Sequence, residues 1–171
     1  RQMLFTALNH NGPIAIRYPR GAGIGVPLDA DFKSIPIGES ELLREGRDTV
    51  IFALGSMVYP SMEAAEILGA EGISTGVVNC RSVKPMDRRL IEWAETQGRR
   101  ALIVEENILQ GGFGSAILEL FNENGIRDVM IKRMGLPDRF IEHGPTKVLR
   151  ESLGLDAKGI ADAARQLCQK R

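Results

Sequence analysis

The sequence predicts an α/β fold: a mainly parallel sheet flanked by helices, preceded by the tail of a second α/β domain. Three observations predict it. Short continuous apolar runs recur at Val50–Leu54, Gly76–Asn79, Ala101–Val104 and Val129–Ile131, which suits strands covered on both faces. Apolar residues at helical spacing stand between the runs, so strand and helix alternate and parallel strands joined by right-handed crossovers follow. Finally, Gly21 to Pro36 carries glycines and prolines without apolar periodicity and reads as a boundary between two units.

Taken in order, Arg1 to Asn9 reads as the end of a helix. Gly12-Pro13-Ile14-Ala15-Ile16-Arg17-Tyr18-Pro19-Arg20-Gly21 reads as a short buried strand running into a loop. Ile14, Ile16 and Tyr18 share one face of such a strand and Arg17 points the other way. Pro19 cannot donate to a ladder, so Arg20 falls in the loop beyond the strand's carboxyl end. A strand needs neighbours, few residues precede this one, and the chain opens on Arg1-Gln2 without an initiator methionine. The expectation is therefore the C-terminal piece of a larger enzyme. Residues 1–20 are expected to be the tail of one domain, 21–38 a linker, and 39–171 a complete further domain.

Inside that last domain, Glu39–Arg44 and Thr49–Leu54 flank Glu45-Gly46-Arg47-Asp48, which predicts a hairpin. Val58, Met62, Ala65 and Leu68 mark a first helix. Leu90, Ile91 and Ala94 mark a second, with Asp87 as N-cap after Pro85. Phe113, Ile117, Leu120 and Phe121 mark a third. A fourth follows Asp156, with Ile160, Ala164 and Leu167 inward.

Composition narrows the function classes. Lys plus Arg equals Asp plus Glu at 22 each, and aromatics make up 5% of the residues. No net field or basic run with interleaved aromatics points to nucleic acid or acidic lipid. Cys80 and Cys168 lie outside any metal-ligand spacing and read as reduced thiols of a cytosolic protein. No stretch reaches the roughly 18 apolar residues of a membrane span, and no signal peptide is visible.

Several residues are candidates for chemistry, each beside a structural reading. Arg17 and Arg20 lie near a sheet's carboxyl edge, where α/β folds bind ligands. Their guanidinium groups suit a phosphate or carboxylate, or else a salt bridge across the domain boundary. Gly111-Gly112-Phe113-Gly114-Ser115 opens a helix, whose free N–H groups attract anions. It matches no dinucleotide or P-loop pattern, and tight packing of loop on helix is the competing reading. Glu105 and Glu106 are adjacent in a strand, so they point to opposite faces and make no acid/base pair. His10 and His143 lack a neighbouring nucleophile, and Ser56 and Ser115 suit helix caps better than catalysis. No complete active site assembles from these residues.

Together, Arg17-Tyr18-Pro19-Arg20-Gly21, Val83-Lys84-Pro85-Met86-Asp87, Val104-Glu105-Glu106-Asn107 with its glycine run, Gly135 to Gly144 (GLPDRFIEHG) and Leu153-Gly154-Leu155-Asp156 resemble the 1-deoxy-D-xylulose-5-phosphate synthases. These are thiamine-diphosphate enzymes of the transketolase class. Order and spacing match over essentially the whole chain, and Cys80 and Ser82 depart from the usual family residues.

The resemblance implies an enzyme that condenses pyruvate with D-glyceraldehyde 3-phosphate, with decarboxylation, to 1-deoxy-D-xylulose 5-phosphate, a precursor for isoprenoid, thiamine and pyridoxal synthesis. It implies that residues 1–20 end the pyrimidine-binding second domain and that 39–171 form a transketolase-type C-terminal domain. Thiamine diphosphate and Mg would be bound by upstream domains, with no catalytic, cofactor or metal residue in this chain. Arg20 would grip the aldehyde's phosphate, with Arg17 as a weaker candidate. A homodimer in the bacterial cytoplasm is implied, a plastid location staying open, and the piece alone is expected to be inactive. The alternatives are a standalone docking or regulatory module, a piece like a 2-oxoacid dehydrogenase β subunit, and a small phosphate or nucleotide binder using Gly111–Ser115.

Overall fold

The computed structural model describes residues 1–19, 21 and 23–169. Helix α1 (Gln2–Leu8) is followed by a long irregular stretch, then β1 (Glu41–Arg44) and β2 (Thr49–Ala53). A 3₁₀ turn (Gly55–Met57) leads into α2 (Val58–Ala70). There follow β3 (Thr75–Asn79), α3 (Arg89–Thr96), β4 (Arg100–Ile108), α4 (Phe113–Glu123), β5 (Met130–Leu136), α5 (Thr146–Ser152) and α6 (Ala157–Gln169). The five strands form one sheet in the order β1-β3-β2-β4-β5. β2, β3, β4 and β5 run parallel, and only β1 is antiparallel to its neighbour.

The continuous apolar runs are explained by the packing. Side chains alternate along a strand, so Ile51 and Ala53 face one side while Val50 and Phe52 face the other. The first pair joins Leu102, Val104 and the inner faces of α2 and α6. The second joins Ala101, Ile103 and residues of α3 and α4, including Phe113, Ile117 and Phe121. Burying each such large side chain stabilises by about 1.5–3 kcal/mol. The helices follow the expected periodicity: α2 buries Val58, Ser61, Ala64, Ala65 and Leu68, and α6 buries Ile160, Ala161, Ala163, Ala164 and Leu167. Met62 is only half-buried, one position off the inner stripe.

Two expectations are corrected. β1 and β2 exist but form no hairpin, because β3 lies between them. β1 pairs with β3, Glu41 opposite Asn79, and the Glu45–Asp48 connection crosses the start of β3 instead of turning back on itself. The backbone N–H groups of Arg47 and Asp48 both donate to the Ser74 carbonyl, and the Gly46 N–H donates to Gln97 Oε1 at 2.9 Å. A Cβ on Gly46 would lie 2.0 Å from the Gly76 nitrogen, so the crossing needs a residue without a side chain. The second correction concerns Gly12 to Tyr18, which joins no ladder. Ile14 is exposed. An extended segment becomes a strand only against a hydrogen-bonding neighbour, and the one sheet is built from β1 to β5 without Gly12 to Tyr18 pairing to either of its edge strands, β1 and β5. Helix α5 has no counterpart among the sequence-based expectations; it buries no residue and so leaves no apolar stripe in the sequence.

Among the described residues no helix is long and apolar enough to cross a membrane.

Candidate functional site

The carboxyl edge of the parallel strands gathers the polar side chains that the sequence singles out. β4 carries Glu105 and Glu106 to this edge. Val104 pairs with Met134 and Ile108 with Leu136, so β4 holds two more residues than β5 between these pairs. This bulge lies at Glu105 to Asn107, and the two carboxylates part to opposite faces.

Glu105 is fully buried. Its oxygens accept the backbone N–H groups of Phe113 at 2.7 Å and Gly114 at 2.8 Å, two free donors of the α4 N-terminus. The anion at this helix end is therefore the protein's own carboxylate. Cβ atoms on Gly112 and Gly114 would lie 2.5 and 3.2 Å from its oxygens, which is why the loop is rich in glycine. Ser115 does not cap the helix as expected. Its hydroxyl accepts from Gly111 N–H and from Arg133, and donates to the Leu109 carbonyl, bracing the loop.

Glu106 serves the other face. Arg150 of α5 donates to it twice, at 3.0 and 2.5 Å, and the Ser56 hydroxyl donates at 2.5 Å. Burial pushes this carboxyl up, but the Arg150 and Ser56 hydrogen bonds outweigh it and hold the group below the usual glutamate range. Ser56 is thus a partner of Glu106 and no helix cap. Arg150 ties the otherwise unburied α5 to the sheet.

Asp87 organises the third cluster. Its oxygens accept the backbone N–H groups of Ser40 at 2.6 Å and Arg89 at 3.0 Å, and the Arg89 guanidinium closes on it at 2.7 Å. The expected N-cap is displaced by one residue: Arg88 holds that position without a side-chain cap bond, and Asp87, just before it, accepts the N–H of Arg89, the first residue of α3. Burial pushes Asp87 up, and these hydrogen bonds bring it below its ordinary value. Neighbouring Cys80 is buried, which pushes its thiol strongly up and keeps it protonated.

The remaining sequence candidates do not converge here. Arg17 is exposed. Arg20, the first-ranked substrate contact, lies outside the described residues. His10 and His143 are exposed, His10 just after α1 and His143 in the loop between β5 and α5. A groove of about 340 Å³ lies between α1 and residues 26–35. Arg1 Nη1 donates to the Asp29 carbonyl at 2.7 Å, Gln2 Nε2 donates to Asp29 Oδ2 at 2.6 Å, and Phe5 stacks on Phe32 with centroids 5.4 Å apart. This groove contains neither Arg17 nor either histidine.

Among the described residues no three His, Cys, Asp or Glu side chains are placed to hold a metal ion. Glu105, Glu106 and Asp87 are each engaged by internal donors. This donor set does not fit a metal-bound diphosphate. What the edge can do, with Asp87 and Glu106 paired to arginines and Glu105 held by backbone N–H groups, is present a fixed surface.

Comparison with known proteins agrees with this architecture. Residues 38–160 match the family model described as transketolase, C-terminal domain. The 1-deoxy-D-xylulose-5-phosphate synthase of Halothermothrix orenii is 50% identical over 171 residues, covering 100% of this chain and 27% of that protein. 1-Deoxy-D-xylulose-5-phosphate synthase 1 of Geobacter sulfurreducens is 53% identical over 163 residues, covering 95% of this chain and 26% of that protein. The chain thus spans about a quarter of the length of the curated relatives it matches. A solved structure described as a split-gene transketolase, an inactive β4 tetramer, superposes with a TM-score of 0.74 at 36% identity, covering 84% of this chain and 47% of that one. With its mostly parallel five-stranded sheet, its helical layers and a family match across most of its length, the chain belongs to the transketolase C-terminal domain family.

Proposed function

We propose that this chain is the carboxyl-terminal portion of a 1-deoxy-D-xylulose-5-phosphate synthase. The single observation that carries the reading is identity of 50% maintained over 171 residues with a protein of that name, about a quarter of which is covered. The activity assigned to the whole enzyme is condensation of pyruvate with D-glyceraldehyde 3-phosphate, with loss of carbon dioxide, to 1-deoxy-D-xylulose 5-phosphate. Residues 1–20 are assigned to the end of the pyrimidine-binding domain, 21–38 to a linker and 39–171 to the C-terminal domain. The change of character near residue 38, where the family match begins, supports that division.

Thiamine diphosphate and Mg are assigned to parts of the enzyme outside this chain, because the donor set described above does not fit them. No chemical step is therefore assigned to residues of this chain. Their part is binding and support. Arg20 is assigned to the phosphate of the aldehyde substrate, since a guanidinium among glycines makes paired, charge-assisted hydrogen bonds to a phosphate. Arg17, exposed beside the half-buried Ile16, is the second candidate. A homodimer acting in the bacterial cytoplasm completes the proposal. The rival reading of Gly111–Ser115 as a nucleotide or phosphate cradle is disfavoured, because Glu105 already occupies those N–H groups.

The deciding experiment is kinetic. In the full-length enzyme, Arg20→Ala is expected to raise KM for D-glyceraldehyde 3-phosphate roughly ten- to a hundredfold, the equivalent of losing a charged hydrogen bond worth about 1.5–3 kcal/mol. KM for pyruvate should change little. An unaltered KM for the aldehyde removes Arg20 from the substrate site.

A further inference from the structure

Beyond residue 37, eight large hydrophobic side chains stand exposed among the described residues. Five of them collect at the carboxyl edge of the parallel strands. Val83 lies in the connection after β3 and Ile108 ends β4. Tyr59 lies in the first turn of α2 and Val148 in the first turn of α5. Phe140 stands in the loop between β5 and α5. The connections at the opposite, amino edge carry none of the eight. Phe140 is the extreme case, its relative exposure being 104%. A phenyl ring held wholly in water is unfavourable unless something covers it.

The course of the chain indicates what covers it. Residues 38–41 enter the sheet at this same edge. A Cβ on Gly38 would lie 2.8 Å from Pro85 Cγ, the Ser40 N–H donates to Asp87, and Glu41 pairs with Asn79, the last residue of β3. Polypeptide preceding residue 38 therefore arrives over the carboxyl edge. From β3 to β5 is three strand spacings, or about 15 Å, so a domain seated at the entry point reaches Phe140. Two of the carboxylates at this edge are paired within the chain, Asp87 with Arg89 and Glu106 with Arg150, while Lys84, Asp138, Arg139 and Glu142 stand exposed beside Val83 and Phe140 as a polar rim.

We propose that the carboxyl edge, with Phe140 as its anchor, is the docking face for the preceding domains of the same polypeptide, whose contacting surface is an apolar slot. The Glu106–Arg150 pair holds α5 and thereby sets the loop that presents Phe140. This proposal rests on the reading of the chain as part of a longer synthase.

Hydroxyl-radical footprinting tests it by reading the phenyl ring directly. Oxidation of Phe140 is compared in the 171-residue chain, at low and high protein concentration, and in the full-length polypeptide, with Leu118 on α4 as internal reference. The expected result is Phe140 oxidation at least roughly tenfold slower in the full-length polypeptide alone, with Leu118 unchanged. Phe140→Asp in the full-length polypeptide should raise oxidation at Val83 and Tyr59 toward the rates of the shorter chain. Equal Phe140 rates in both proteins overturn the docking face. Protection that appears in the shorter chain as its concentration rises also overturns it, assigning the edge to a second copy. Turnover of the full-length wild type is measured in the same preparation. Turnover with a freely oxidised Phe140 removes only the docking face, whereas protection without turnover removes only the synthase reading. A reading frame that starts at residue 1 removes both.

Discussion

Glu105 and Glu106 show how two identical neighbours acquire different work. Glu105 is sealed against two backbone N–H groups of α4, whereas Glu106 meets a guanidinium and a hydroxyl on the other face. Because the folded pKa of Glu106 lies below its ordinary value, its contribution to stability is present above the unfolded value of about 4.3 and is lost as pH falls through the folded one. The unfolded chain binds the proton first, so stability drops with acidification. Glu106→Gln removes that linkage. The stability gap between wild type and Glu106→Gln should therefore be widest near about pH 6 and narrow toward about pH 3. Urea midpoints at the two values check this, and a gap that does not change with pH assigns the loss to packing alone. Asp87, likewise held below its ordinary value, adds to the acid sensitivity of the wild type and of the variant equally. Alternation along a strand was enough to predict that the two glutamates part. Nothing local showed which donors each would find, because Arg150 lies 44 residues from Glu106 in sequence.

At the level of elements, the decisive feature is the crossing of the β1–β2 connection over β3. Gly46 and Gly76 pass back to back, and a Cβ on Gly76 would lie 1.7 Å from Gln97 Oε1, the atom that accepts the Gly46 N–H. Gly46→Ala should destabilise by about 3 kcal/mol, the upper end of overpacking, because backbone atoms must move. Thermal or urea unfolding measures it. A loss below about 0.5 kcal/mol, ordinary for a surface loop, means the crossing has room. The same pair explains why the hairpin expectation fails. A four-residue connection containing glycine fits a tight turn and a close crossing equally well. Which of them forms depends on β3, a strand that comes later in the chain. Helices α2, α3, α4 and α6 were legible because each buries a face and so leaves a period, and β2 to β5 because short continuous apolar runs mark them. By contrast α5 is held by one ion pair and leaves no period.

For the whole molecule, the arrangement is that of a support. The sheet and its two helical layers bury their own apolar faces, while exposed apolar side chains gather in residues 1–37 and at the carboxyl edge. The purified 171-residue chain supplied with thiamine diphosphate, Mg, pyruvate and D-glyceraldehyde 3-phosphate is expected to form no 1-deoxy-D-xylulose 5-phosphate. The motivation is the lack of fit between the described donor set and a metal-bound diphosphate. Product formed above the protein-free background ends the division of labour proposed for this chain.

The sequence by itself determined the α/β class, the parallel strands, five of the helices, α1 among them, and the resemblance to the synthases. These follow from periodicity and from motifs in which neighbouring residues act together. Only the tertiary structure decided strand order, the crossing at Gly46, the occupation of the α4 N-terminus by Glu105 and the exposure of Phe140. Each of these depends on groups far apart in the chain meeting in space, and no local pattern records such meetings.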